Sequence, residues 1–161
     1  MNTIIIFIAQ YFYFIVVLLG LFFFLKQSRL IQKSMAICGG FIAVFSFILS
    51  RIAGHIYYNA RPFVVGHFTP LIAHVADNGF PSDHVLLTGA IAAVIWFYNK
   101  KLSLLLWALA ILIGAARVAA GIHHVTDIIG SIVIVLIVAA GYYAAVKYKI
   151  IKAAPPRFNI R

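Results

Sequence analysis

The stretch IIIFIAQYFYFIVVLLGLFFFL, residues 4–25, decides the fold. It runs for 22 residues without a charged side chain, and an α-helix needs about 20 apolar residues to cross the hydrocarbon of a bilayer. Met1-Asn2-Thr3 places no basic segment ahead of it, and no small-residue cleavage site precedes Lys26, so it reads as a permanent anchor rather than a secretion signal. Four more apolar stretches follow: Ser34 to Tyr58, Val85 to Tyr98, Leu102 to Ala116 and Ile128 to Val146. Two of these, Val85 to Tyr98 and Leu102 to Ala116, are short for a crossing, and they reach sufficient length by extending into polar flanks, from Asp83 and up to Ala120. The 161 residues are 65% hydrophobic and 10% charged with a mean hydropathy of +1.07, which places the chain outside the soluble globular class. The expectation is one all-α integral membrane domain over residues 1–161, with about five transmembrane helices near 4–25, 34–58, 83–99, 101–120 and 125–147. Irregular backbone is confined to the connections.

The formal charge of +10 would suit nucleic acid, but the charges are segregated. Lys26, Arg29, Lys33, Lys100, Lys101, Lys147, Lys149, Lys152, Arg157 and Arg161 fall in the first connection, the third connection and the tail. An excess of Lys and Arg marks cytoplasmic segments, and alternating passes put all three on one side. The amino terminus is then expected outside and the carboxyl terminus in the cytoplasm. The basic tail reads as juxtamembrane charge facing anionic lipid, not as a nucleic-acid site. The single Cys38 cannot form an internal disulfide and reads as core packing.

The long connection, from Asn59 to Ser82, contains most of RPFVVGHFTPLIAHVADNGFPSDH, residues 61–84. Loops of this length usually carry function or are disordered, and this one is too rich in apolar and aromatic residues for disorder. Its segment Thr69 to Ala76 reads as a short helix at the outer interface. Ser82 reads as the N-cap of a helix starting at Asp83, Gly121 as the break between the last two helices, and Thr126 or a neighbour as the cap of the fifth. His123 and Asp127 are four apart, so one helical turn stacks them on one face.

All three acidic residues, Asp77, Asp83 and Asp127, lie in or beside the two outer connections. Charged groups beside a bilayer are costly and usually functional. With them stand Arg61, Ser82, His84, Arg117 and His123, a set suited to a phosphate. Guanidinium groups hold phosphate oxygens bidentately, and a hydroxyl with backbone N–H groups at a helix start adds donors. A neutral imidazole can attack phosphorus while a carboxylate on its far nitrogen fixes the tautomer, which fits His123 with Asp127; His84 can then protonate the leaving oxygen. His84, His123 and Asp127 would also make a sensible metal-ligand set, but two nearby arginines disfavour a cation.

Arg61-Pro62, Pro81 to His84 and the spacing R-x5-H-x3-D from Arg117 to Asp127 resemble the three signature motifs of the type-2 phosphatidic acid phosphatase superfamily. Within it, the long loop resembles the bacitracin-resistance type of bacterial undecaprenyl-diphosphatase. The resemblance implies metal-independent hydrolysis of a phosphate ester or anhydride through a phosphohistidine, with no cofactor. His123 would be the nucleophile, Asp127 its orienter and His84 the general acid. Arg61, Ser82, Arg117 and the Gly121 backbone would bind the phosphoryl group, with Asp83 supporting the loop. The implied substrate is undecaprenyl diphosphate; phosphatidate or phosphatidylglycerophosphate hydrolysis, lipid phosphotransfer, and binding or transport of anionic lipid are the alternatives. The family's first motif often begins with a lysine seven residues before the arginine, where this chain has Gly54. Either Arg51, one turn back on the second helix, replaces it, or more simply the site binds phosphate without this cation. His55, His67, His74 and His124 read as interfacial or hydrogen-bonded bystanders, and Asp77 as a turn residue in preference to a head-group contact.

Overall fold

The shortest of the membrane-embedded helices stands at the centre of the bundle. In the computed structural model, which describes residues 2–151, the described residues form α1 (Asn2–Leu25), α2 (Arg29–Ile56), α3 (Pro62–Val65), α4 (Asp83–Trp96), α5 (Lys100–Ala119) and α6 (Val125–Lys147). Helices α1, α2, α5 and α6 are long and apolar enough to cross a membrane. Helix α4 has 14 residues, about 21 Å of helix against roughly 30 Å of hydrocarbon. It tolerates that deficit because α1, α2, α5 and α6 all pack against it, so protein rather than lipid meets much of its surface. Val85, Leu86, Thr88, Gly89, Ala92, Ala93 and Ile95 are its buried residues. Small residues among them let the neighbours approach, since interfaces between membrane helices depend on close packing.

Two helix boundaries differ from the sequence expectation by more than two residues. Helix α2 begins at Arg29 instead of Ser34, because long basic side chains at a helix end reach the interface and do not stop the helix. Helix α4 stops at Trp96 rather than near Asn99, because Asn99 caps α5 instead: its Oδ1 accepts from the Leu102 N–H at 3.0 Å. The interfacial helix expected over Thr69 to Ala76 does not form. The helix of the long loop is α3, one turn with Pro62 at a position that needs no N–H partner. From Gly66 to Ser82 the backbone is irregular. Docking overrides local preference there: the Leu71 N–H donates to the Ala120 carbonyl at 3.0 Å, and Ile72 is buried with Ala9, Ala116, Ala120 and Ile122. The loop thereby joins α1 to the end of α5.

The chain alternates direction, so the 57–82 and 120–124 connections share one end of the bundle with the start of α1. Lys26, Arg29, Lys33, Lys100, Lys101, Lys147 and Lys149 belong to the opposite end. The remaining tail cations, Lys152, Arg157 and Arg161, lie outside the described residues. Cys38 is buried in a core cluster with Ile42, Val135 and Tyr142.

Candidate active site

The long loop is clasped where it leaves and rejoins the bundle. The Gly79 N–H donates to the Asn59 carbonyl at 2.9 Å, and Asn78 Oδ1 accepts from the N–H groups of Asn59 and Phe80, each at 2.9 Å. Asn78 Nδ2 donates to the Gly54 carbonyl at 2.7 Å, tying the clasp to α2. This sets Arg61 opposite Asp77, and Arg61 Nε donates to Asp77 Oδ1 at 2.6 Å. Asp77 is therefore an ion-pair partner rather than a turn residue. Its burial raises its pKa, but the bond to Arg61 and the guanidinium charge outweigh that and hold it below the usual carboxylate value.

Past α5, Gly121 turns the chain at φ 76°, a left-handed conformation that glycine adopts at little cost. Its N–H bonds to the Val118 carbonyl at 2.9 Å and so closes the last turn of α5. A Cβ at Gly121 would lie 2.6 Å from the Phe68 ring. Gly121→Ala is expected to destabilise the fold by about 1–2 kcal/mol, read as a lower melting temperature in detergent; an unchanged melting temperature would show that the turn relaxes freely.

The turn delivers His123 inward and makes His124, a neighbour of Thr126, the N-cap of α6. The His124 N–H donates to Asp127 Oδ2 at 2.9 Å, and Asn59 Nδ2 reaches Asp127 Oδ1 at 2.6 Å and Thr126 Oγ1 at 3.2 Å. Asp127 is fully buried and its Oδ2 also lies 3.1 Å from His123 Nδ1. An ionised carboxylate only accepts. The proton between them therefore sits on Nδ1, which leaves a lone pair on Nε2. That Nε2 lies 3.4 Å from Arg61 Nη1 and 3.4 Å from Arg117 Nη2. Burial lowers the His123 pKa; the Asp127 bond opposes the shift, while the Arg117 and Arg61 charges add to it, and the result lies below the ordinary 6.5. At neutral pH the imidazole is neutral, with its lone pair toward two guanidinium groups.

Both arginines are anchored by the backbone: Arg61 Nη1 donates to the Ile122 carbonyl at 2.8 Å and Arg117 Nη1 to the Ala9 carbonyl of α1 at 3.2 Å. Arg117 Nε and Ser82 Oγ are buried with no hydrogen-bond partner among the described residues. Ser82 occupies the N-cap position of α4, but its hydroxyl makes no capping bond. Leaving buried donors unsatisfied is costly, and an anion between the arginines would supply acceptors.

These groups border a cavity of about 450 Å³ lined by Arg51, Arg61, His74, His84, Arg117 and His123 among others. His84 enters from the first turn of α4, its ring centroid 4.9 Å from that of Tyr13 on α1 in an edge contact. His74 is drawn into the site, 6.4 Å from His123 between ring centroids, and burial and then the Arg61 charge lower its pKa. His55 also lines the cavity, whereas His67 is not among its lining residues and His124 bonds to the Ala60 carbonyl. Asp83 stands at the rim, paired with Arg51. Asn59 and Asn78 were not legible as site residues, because asparagine in a loop carries the same signal as any turn. Among the described residues no three His, Cys, Asp or Glu side chains are grouped as metal ligands.

Fold and pocket together define a helical membrane protein with an arginine- and histidine-lined cavity at one end of its bundle. The chain belongs to the PAP2 superfamily, whose sequence model matches residues 36–151. It is 31% identical over 130 residues to the bacitracin transport permease protein BcrC of Bacillus licheniformis, covering 80% of this chain and 63% of that protein. It is 28% identical over 140 residues to the undecaprenyl-diphosphatase BcrC of Bacillus subtilis (strain 168), covering 86% of this chain and 71% of that protein. The crystal structure of the first transmembrane PAP2 type phosphatidylglycerolphosphate phosphatase from Bacillus subtilis matches with a TM-score of 0.58 over 95% of this chain and 79% of that one; at 20% identity the likeness is one of fold.

Proposed function

We propose that the protein is a membrane lipid phosphatase that converts undecaprenyl diphosphate to undecaprenyl phosphate and inorganic phosphate, recycling a carrier lipid of envelope synthesis. The observation that carries the reading is the position of His123 Nε2, 3.4 Å from each of two guanidinium groups while Nδ1 is held by Asp127. With the terminal phosphoryl group bound by Arg61, Arg117 and the Ser82 hydroxyl, the Nε2 lone pair forms an N–P bond as the P–O bond to the prenyl phosphate breaks. Electrons of that bond leave with the bridging oxygen, to which His84 can give a proton. Water then attacks the phosphohistidine, returns a proton to His84 and frees phosphate. Asp127 stabilises the cationic imidazole between the two steps.

The basic connections at the far end of the bundle support an extracytoplasmic site with the amino terminus outside. The prenyl chain would stay in the bilayer, avoiding transfer of its apolar surface to water. The name of the Bacillus subtilis relative supports the diphosphate as substrate. Purified protein should release phosphate from a prenyl diphosphate faster than from phosphatidate or phosphatidylglycerophosphate, with or without chelator. A preference for either glycerolipid would replace the substrate. No release at all in detergent would favour binding or transport of an anionic lipid.

A further inference from the structure

The cavity holds a third guanidinium whose circumstances differ from those of the other two. Arg61 and Arg117 are each 5% exposed and fixed by backbone carbonyls. Arg51 has a half-exposed side chain that rests on the Phe47 ring and reaches across from α2 to Asp83 on α4, whose side chain is 70% exposed. Its other hydrogen bond, from Nε to Ser50 Oγ, is long at 3.4 Å. Exposed ion pairs of this kind have little net strength, because water screens them and both side chains lose freedom. Arg51 is thus a cation that a stronger anion can capture.

Position 54 cannot take over that role. A Cβ on Gly54 would lie 2.8 Å from the Phe80 carbonyl oxygen, a backbone atom fixed within the Asn78 clasp, so no side chain fits there. Arg51 is the only Lys or Arg that α2 contributes to the cavity lining. Asp83, which holds it, is followed directly by His84, the group at the leaving side of the proposed reaction.

We propose that Arg51 binds the second phosphate of a diphosphate, the one that departs, exchanging Asp83 for it when the substrate enters. The inference rests on the phosphatase reading for the word departs, and on the cavity alone for the binding. Charge supports it. Asp77 already offsets Arg61, so the fixed arginines fall short of a diphosphate's charge, and Arg51 released from Asp83 adds one positive charge. Chemistry supports it too. When the bridging P–O bond breaks, its electron pair goes to a prenyl phosphate that gains one negative charge, which a guanidinium stabilises without a proton transfer. An ester would release an alkoxide, for which the proton from His84 matters more.

Calorimetric binding of inorganic diphosphate and inorganic phosphate to the full chain in detergent tests this without depending on turnover. Arg51→Gln should raise the ratio of the diphosphate Kd to the phosphate Kd by about tenfold or more, and Arg51→Lys by less. Asp83→Asn should shift the same ratio the opposite way, because it frees Arg51. If the pair were only a clasp between α2 and α4, both variants would weaken both anions in parallel, and that result would overturn the proposal. An unchanged ratio in Arg51→Gln would overturn it as well. Wild-type protein that shows the Arg51-dependent ratio but hydrolyses no lipid would instead sink the phosphatase reading and leave this anion site standing.

Discussion

Replacing His123 by alanine is expected to abolish phosphate release, with a loss of about four orders of magnitude or more. The size follows from the absence of a substitute. His74 and His84 share the cavity, but it is His123 Nε2 that has a guanidinium nitrogen 3.4 Å away on each side. A water attacking in its place would lack both the lone pair and the orientation that Asp127 imposes. The fold should survive, because Asp127 keeps the Asn59 Nδ2 and His124 N–H bonds when the imidazole is gone. Phosphate release measured on a monodisperse, thermally stable variant checks this, and activity within tenfold of wild type would remove His123 from the nucleophile's role.

Asp127→Asn should cost nearly as much in rate, about two to four orders of magnitude, and unlike His123→Ala it should also cost stability. The carboxylate accepts from Asn59, His123 and His124, and it is fully buried. A carboxamide turns one acceptor into a donor, so at least one of these N–H groups faces another and goes unsatisfied, at about 1–3 kcal/mol. The pH profile gives a signed test. The bond to Asp127 raises the His123 pKa against burial and the two arginine charges. Losing it lowers the pKa further. With the neutral imidazole as the proposed attacking form, the acid limb of kcat/KM, which should lie below pH 6.5 in the parent, should move to still lower pH in the variant. A limb that moved upward would contradict the assignment.

Much of the architecture is visible in the apolar stretches, because length and the lack of charge are properties of each segment by itself. Residues 4–25 alone announce a crossing, and the short central helix begins where Ser82-Asp83 places it. The pairing of His123 with Asp127 is equally local, since four residues make one turn. The loop is different. Thr69 to Ala76 has a plausible interfacial pattern, yet Leu71 and Ile72 dock against α1 and α5, and nothing in an eight-residue window reports those partners. Asp77 and Asn59 fail to stand out for the same reason: their bonds to Arg61 and Asp127 span 16 and 68 residues. Ser82 is legible as an N-cap by position, but only the three-dimensional surroundings show that its hydroxyl makes no cap bond.

The carbonyl of Ala9 that anchors Arg117 belongs to α1, as does Tyr13 against His84, and α1 lies wholly ahead of the segment matched by the superfamily. The boundary drawn by sequence similarity and the boundary drawn by mechanical support therefore fall in different places. A minimal version trimmed to residues 36–151 would keep every signature motif and still lose the carbonyl that anchors Arg117 and the ring that packs against His84. The leading helix behaves as a keystone supplied from outside the recognised unit, so its side chains belong in any comparison of how related pockets are tuned.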